Sequence, residues 1–436
     1  MRIRDSIHTD QFPPSYYTAT CNDLTPFRRL EGNMHVNVCV VGGGFTGVAA
    51  ALHLAEKGYD VALVEQNRIG WGASGRNGGQ VIGGYGPELS NMSKIQKVFG
   101  RDNARAAWEM GVECVDIIDE WISKYDIDCD MKWGYFDAAM KQREMDELAE
   151  SMETLKSFGY KPEQRMVGAD EVKNYVGSDR YIGGLTNMGW GHCHVLNLVR
   201  GEARAAEKLG AKIFEDARVS KIEYGDKVTI DMDTCRITAD ILVLGGNAYL
   251  GKLVPKLASR ILPTGSYIVT TEPLEESVAK EILPANFAVC DQRWALDYFR
   301  LTADNRLLFG GLATYSGRHP RDIIGAIMPN VLKVFPQLKG VKIDHAWGGY
   351  MGIGLNRIPQ LGRLAPNVYF AQAYSGHGVA PTHMSARLIA EAISGQMERF
   401  DVMAKIKHPP FPGGQMFKAP IQAVGMAYYR LKDALG

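Results

Sequence analysis

Apolar positions along this chain recur in two periods, and their order predicts the architecture. Residues 36–41 (VNVCVV) and 60–64 (DVALV) are short, β-branched apolar runs, as expected of strands buried on both faces of a parallel sheet. Between them, 44–57 places Val48, Ala51, Leu52 and Ala55 on one helical face, and Gly58 supplies the stop. Amphipathic spacing predicts further helices over 91–125, 141–158, 196–210, 320–335 and 379–394, with Gly210 and Gly395 as terminators. Strands are expected at 131–140, within 211–230, at 240–244 (DILVL), at 367–373, and in SYIVTTE, YFRLTA and RLLFGG between 262 and 340. Residues 1–34 and the proline-rich 408–420 read as irregular, and no internal repeat appears.

Composition narrows the function classes. Lysine plus arginine equals aspartate plus glutamate at 49 each, so no global field draws the chain to nucleic acid or an anionic membrane. No apolar run approaches the ~18 residues a membrane span needs. The N-terminus lacks the apolar core of a secretory signal, and the seven cysteines form no C-x-x-C pair, so a reducing, cytoplasmic setting is expected. His192-Cys193-His194 has no companion ligand pair and reads as a polar turn, so no metal site is expected. The last segment, 428–436 (YYRLKDALG), is amphipathic and suits either a packed terminal helix or contact with a membrane surface.

The 48 glycines exceed the usual ~7%, and they cluster. Gly42, Gly44 and Gly47 give G-x-G-x-x-G between a strand and a helix, with Glu65 ending the next strand. In that context the glycines allow a tight turn, close backbone approach to a pyrophosphate, and helix–strand packing, and Glu65 suits ribose hydroxyls. Residues 43–47 (Gly43, Gly44, Phe45, Thr46, Gly47), together with Gln66, belong to the same dinucleotide site. A nicotinamide domain usually continues into a helix; here a glycine-dense loop follows, with Gly72, Ala73, Ser74, Arg76, Asn77, Gly78, Gly79 and Gln80. Such a loop can run its backbone along an extended ligand.

VVGGGFTGVAAALHLAEKG, VALVE and GWGASGRNGG together resemble the FAD-dependent D-amino-acid oxidase and glycine/sarcosine oxidase superfamily (DAO family). The resemblance implies an α/β chain: a glutathione-reductase-like Rossmann FAD domain interrupted by a mixed or antiparallel-sheet substrate domain. The FAD domain would gather 30–125, 192–255 and 340–400, and the substrate domain 126–191 and 256–339, flanked by an arm (1–29) and a tail (401–436). It implies adenine-side contacts at Val219, Gly245 and Asn247. It also implies a turn at Gly376, His377, Gly378, Val379 and Ala380 that aims a helix N-terminus at the flavin pyrimidine. His377 would hold a substrate polar group, modulate flavin charge, or serve as a structural cap. No histidine in 70–80 and no cysteine near 350 is present, so non-covalent FAD is expected.

Where amino-acid oxidases of this superfamily often carry a carboxylate-forking arginine, WGGYMGIGLNRIPQLG (347–362) has Met351, and Asn356 replaces an aspartate. An amine substrate gains weight accordingly. Arg300 remains a candidate fork from a neighbouring strand, or an inter-domain salt bridge, and Tyr298, Phe299, Tyr350 and Tyr267 are candidate aromatic walls. SYY (15–17), GASGRNGGQ, GHCHVLNL, YFRLTADNRLLFGG and YSGHGV resemble the γ-glutamylputrescine oxidase branch. The resemblance implies hydride transfer from a carbon next to nitrogen to flavin N5, an imine hydrolysed to an aldehyde, and reoxidation by O2, a quinone or another acceptor. A second implied class is an L-pipecolate oxidase or dehydrogenase.

Overall fold

A computed structural model describes residues 9, 11–86, 89, 91–293, 296–314 and 320–412. The segment 428–436 and most of 408–420 lie outside those residues.

Two sheets organise the chain. In the first, the spatial order is Gln360–Ala365, Val368–Gln372, Arg236–Leu244, Met34–Val41, Val61–Val64, Lys212–Phe214. All neighbours from Val368–Gln372 to Lys212–Phe214 are parallel. Such strands need cover on both faces. Helices Phe45–Glu56, Val195–Lys208 and Val379–Ile393 bury Leu52, Val199 and Ile389 with Val40 and Leu63, and Val254 and Leu257 join Val41, Leu242 and Phe370 in a separate core cluster.

In the second sheet the order is Ile343–Gly354, Ile261–Thr271, Leu307–Thr314, Tyr298–Leu301, Ala288–Asp291, Lys132–Ala139, Gly183–His192, Gln80–Val81. Its pairings are antiparallel except between Ala288–Asp291 and Lys132–Ala139. Tyr267, Phe299 and Phe309 lie in one core with Val331 and Phe335, the last two around helix Ile323–Val334; the Phe299 and Phe309 rings stack 5.4 Å apart.

Several boundaries differ from the sequence expectation. The helix expected over 91–125 is two, Met92–Phe99 and Arg101–Tyr125, broken at Gly100 with φ +78°. Strands Gly183–His192 and Ile343–Gly354 have no strand-like sequence period because glycine takes so many positions. Neighbours fill the space a Cβ would need: at Gly191 it would lie 2.1 Å from the Lys132 carbonyl oxygen, at Gly352 2.3 Å from the Ile261 side chain. Ile343–Gly354, expected to group with the first sheet, instead pairs with Ile261–Thr271 in the second. The expected polar turn at His192–His194 is a junction: His192 ends a strand, and the His194 ring caps helix Val195–Lys208 by accepting from Asn197 N at 3.1 Å. Within the described part of the arm, Tyr16 and Tyr17 are buried in a short helix, Tyr16–Ala19. No helix among the described residues is long and apolar enough to cross a membrane.

Candidate active site

The two sheets enclose one cleft of about 2890 Å³. Small-molecule sites usually occupy ~300–1,000 Å³, so this space suits a dinucleotide together with a substrate.

One end is a backbone cradle. Gly42 has φ +113°, and a Cβ there would lie 2.8 Å from Gly246 N. A Cβ on Gly47 would lie 1.9 Å from the Gly42 carbonyl oxygen, and one on Gly44 2.8 Å from Ser74 Oγ. Only glycines let the strand end, the helix start and the Gly245 turn approach so closely. Phe45 N donates to Ser74 Oγ at 2.8 Å, while N-cap Gly44 makes no side-chain cap, leaving a positive helix end open to an anion. Gly43, Thr46, Glu65, Gln66, Val219, Gly245 and Asn247 also line the cleft, whereas Gly47 packs behind it. Glu65 accepts from Gly43 N (2.7 Å) and Asn67 N (2.9 Å), and burial pushes its carboxyl pKa up against those bonds.

The second glycine loop runs along the middle. Gly72, Ala73, Ser74, Arg76, Asn77, Gly78 and Gln80 line the cleft. Arg76 lies over the Trp71 ring (4.1 Å) and donates to the Trp71 and Gly348 carbonyls at 2.7 and 3.2 Å. Its Nη2 is buried without a protein partner, an orphan cationic donor at the cleft. Asn77 fastens the loop, donating to the Ala73 and Ser74 carbonyls and accepting from Gly79 N. Gln80 donates to the Val289 carbonyl at 3.0 Å. Gly79 turns away, with Cys193 O 2.4 Å from its virtual Cβ.

The third glycine turn carries strain. Ala373, Ser375 and Gly376 have φ of +62°, +55° and +93°. It is braced on three sides: Tyr374 Oη meets Thr46 Oγ1 at 2.9 Å, Ala373 N donates to Asn247 Oδ1 at 3.0 Å, and Ser375 N donates to Gly352 O at 2.9 Å. His377 Nε2–H donates to the Gly83 carbonyl at 3.1 Å, and burial lowers its pKa, so the ring is neutral with Nδ1 an acceptor. Helix Val379–Ile393 starts with N-cap Gly378 and no side-chain cap. Gly376, His377, Gly378 and Val379 line the cleft; Ala380 is buried outside it.

The second sheet forms the opposite wall, sorted by strand alternation. Ser266, Ile268, Tyr298, Cys290, Tyr135 and Asp137 face the cleft, while Tyr267, Val269, Phe299, Val289 and Phe136 enter the core on the far side. Tyr298 lies against Gly78 and Gly310, where virtual Cβ atoms would meet its ring at 2.5 and 2.2 Å. Tyr350 and Met351 line the cleft, the Met351 sulfur 3.2 Å from the virtual Cβ of Gly376.

Three expected substrate residues lie elsewhere, the first being Phe299, whose ring enters the core on the far face instead of walling the cleft. Tyr267 is fully buried on the core face, its hydroxyl 2.8 Å from Thr314 Oγ1; one residue of register decides its side. Arg300 is 3% exposed and meets no carboxylate among the described residues; it donates to the Gly78, Cys193 and Leu301 carbonyls at 2.9–3.0 Å and to Tyr17 Oη at 3.1 Å. It is neither a substrate fork nor a salt bridge but a clamp on the glycine loop. Sequence reasoning missed Tyr249, whose hydroxyl accepts from Tyr350 N at 2.9 Å, and the cleft-facing Asp137 and Gln292. Tyr249 stood beside the Gly245 segment; nothing local marked the other two.

The glycine cradle, the two uncapped helix starts and the orphan Arg76 donor fit a flavin dinucleotide running from Glu65 to His377. Comparisons with known proteins agree. Residues 37–392 match the family described as FAD dependent oxidoreductase. The chain is 45% identical to the gamma-glutamylputrescine oxidoreductase of Escherichia coli (strain K12), covering 97% of this chain and 98% of that protein. In fold it is similar to L-proline dehydrogenase from P. horikoshii (TM-score 0.70, 21% identity, 87% and 96% of the two chains). It is also similar to glycine oxidase from Bacillus cereus (TM-score 0.67, 20% identity, 86% and 99%). The chain therefore belongs to the DAO family of FAD-dependent oxidoreductases.

Proposed function

We propose that this enzyme oxidises the C–N bond of an amine of the γ-glutamylputrescine type. The observation that carries the reading is the wall beside the strained turn: Tyr298, Tyr350, Ile268 and Met351, with methionine where an α-carboxylate would need arginine. Identity over nearly the whole length of the E. coli oxidoreductase supports the same substrate class. When bound, FAD supplies the two-electron acceptor, taking a hydride equivalent from the carbon next to the substrate nitrogen. The aromatic and aliphatic wall excludes water and favours the neutral amine, whose ordinary pKa is ~10.4. His377 Nδ1 stands as acceptor for the substrate N–H. The uncapped start of Val379–Ile393 stabilises negative charge arriving at the turn. The oxidised substrate leaves as an imine and hydrolyses to an aldehyde in water. FAD is held without a covalent bond; Cys290 lines the cleft, but burial pushes its thiol pKa far above the ordinary value and leaves it unreactive.

The test is anaerobic bleaching of the holoenzyme flavin by γ-glutamylputrescine, polyamines, L-pipecolate, proline and sarcosine. γ-Glutamylputrescine is expected to bleach fastest; bleaching by L-pipecolate alone overturns the reading in favour of an imino-acid enzyme. Reoxidation under air against a quinone identifies the acceptor. Acid precipitation should leave the flavin in the supernatant.

A further inference from the structure

Asp137 is a carboxylate in the cleft with no ion-pair partner among the described residues. It sits on Lys132–Ala139, facing the cleft between Tyr135 on its own strand and Cys290 on the next. One oxygen accepts from Gln292 Nε2 at 2.8 Å. The adjacent cation, Arg293, is committed to Asp291 and Asp297. Burial pushes the Asp137 carboxyl up to about 7 and only the neutral Gln292 opposes that, the signature of an acid whose counter-charge is missing. A core aspartate of this kind would be costly; one that faces a ligand cleft has a use.

Its position in the sheet defines that use. Asp137 pairs across with Cys290, and Cys290 with Tyr298. Two strand spacings separate Asp137 from Tyr298, about 10 Å. Tyr298 in turn leans away from Asp137, onto Gly310 and onto Gly78 of the flavin loop. Asp137 is therefore remote from the reacting end of the cleft. We propose that Asp137 is a specificity-determining residue that binds a second, protonated nitrogen of the amine substrate, at the end away from the carbon that is oxidised. This rests on the functional reading above and deepens it. In an extended γ-glutamylputrescine the α-ammonium lies roughly nine bonds, about 11 Å, from the oxidised carbon at backbone-like bond lengths, which matches the spacing across the sheet. Gln292 fixes one carboxylate oxygen and leaves the other for the ammonium.

The test compares γ-glutamylputrescine with its deamino analogue, glutarylputrescine, in wild type and D137N, an isosteric change. A charge-assisted hydrogen bond predicts that the preference for the α-ammonium compound, read as a ratio of kcat/KM, falls about tenfold or more in D137N, with the change carried by KM. An unchanged ratio, or a change carried by kcat, overturns the proposal. A wild-type flavin bleached by neither compound overturns the functional reading instead, and a binding measurement then decides Asp137 independently. 1,9-Diaminononane, whose second nitrogen also lies roughly nine bonds from the carbon beside the first, is titrated into oxidised holoenzyme at pH 8 and followed by the flavin difference spectrum. Binding about tenfold or more tighter to wild type than to D137N supports the proposal; equal behaviour overturns it.

Discussion

At the scale of single residues, the site is made as much by what side chains are tied to as by what they are. His377 is held by one nitrogen to the Gly83 carbonyl and presents the other as an acceptor, because burial keeps it neutral. H377A is expected to slow anaerobic flavin reduction on the order of tenfold while FAD stays bound, since the cradle at Gly42–Gly47 is untouched. Unchanged reduction kinetics would remove His377 from the reaction. Arg300 teaches the converse. Its sequence context, two residues from Tyr298 on a cleft-lining strand, suggested a substrate fork; alternation puts it on the same face as Tyr298, but the carbonyls of Gly78 and Cys193 take up its donors. A guanidinium in a sequence declares its charge, not its partners.

At the scale of elements, glycine has two meanings that the sequence alone distinguishes poorly. The G-x-G-x-x-G cluster was legible because strand, turn and helix flank it in a known order, and its boundaries at Met34–Val41 and Phe45–Glu56 fall within about two residues of expectation. Strands Gly183–His192 and Ile343–Gly354 were not, because their glycines answer to neighbours far away in the chain, such as Ile261 and Lys132. G47A tests the close-approach argument: a Cβ 1.9 Å from the Gly42 carbonyl oxygen meets backbone, which cannot move aside cheaply. Overpacking of about 1–3 kcal/mol is expected, together with a lower flavin-to-protein absorbance ratio on purification. Full flavin occupancy with wild-type thermal stability would contradict it.

At the scale of the whole molecule, the arm and the two sheets are locked together by buried polar groups. Tyr17 packs on His194 and Trp347 at 5.0 and 5.7 Å and accepts from Arg300, so one residue of the arm touches both halves. Burial lowers His192 and His194 to about 3 and His53 to about 4. Their folded pKa values lie below the unfolded value of ~6.5, so the unfolded chain takes up protons first; their contribution is complete above about pH 6.5 and is lost as pH falls toward 3–4. Asp137 and Asp291, raised to about 7 and about 6, act with the opposite sign, so a difference isolates the histidine. H194N keeps a helix cap and removes one titrating ring; between pH 7.5 and 5 it should lose about 2 kcal/mol less stability than wild type in urea unfolding, and parallel losses would refute the assignment. The sequence by itself determined the βαβ unit, the dinucleotide cradle and the three glycine turns, because these depend on local backbone freedom and on periodicity within a few dozen residues. Tertiary structure alone decided which face of each second-sheet strand meets the cleft. That choice moved Tyr267 and Phe299 out of the site and brought Asp137 into it, because a side chain's face is fixed by pairing register between strands far apart in the chain, while Arg300 was withdrawn by the Gly78 and Cys193 carbonyls.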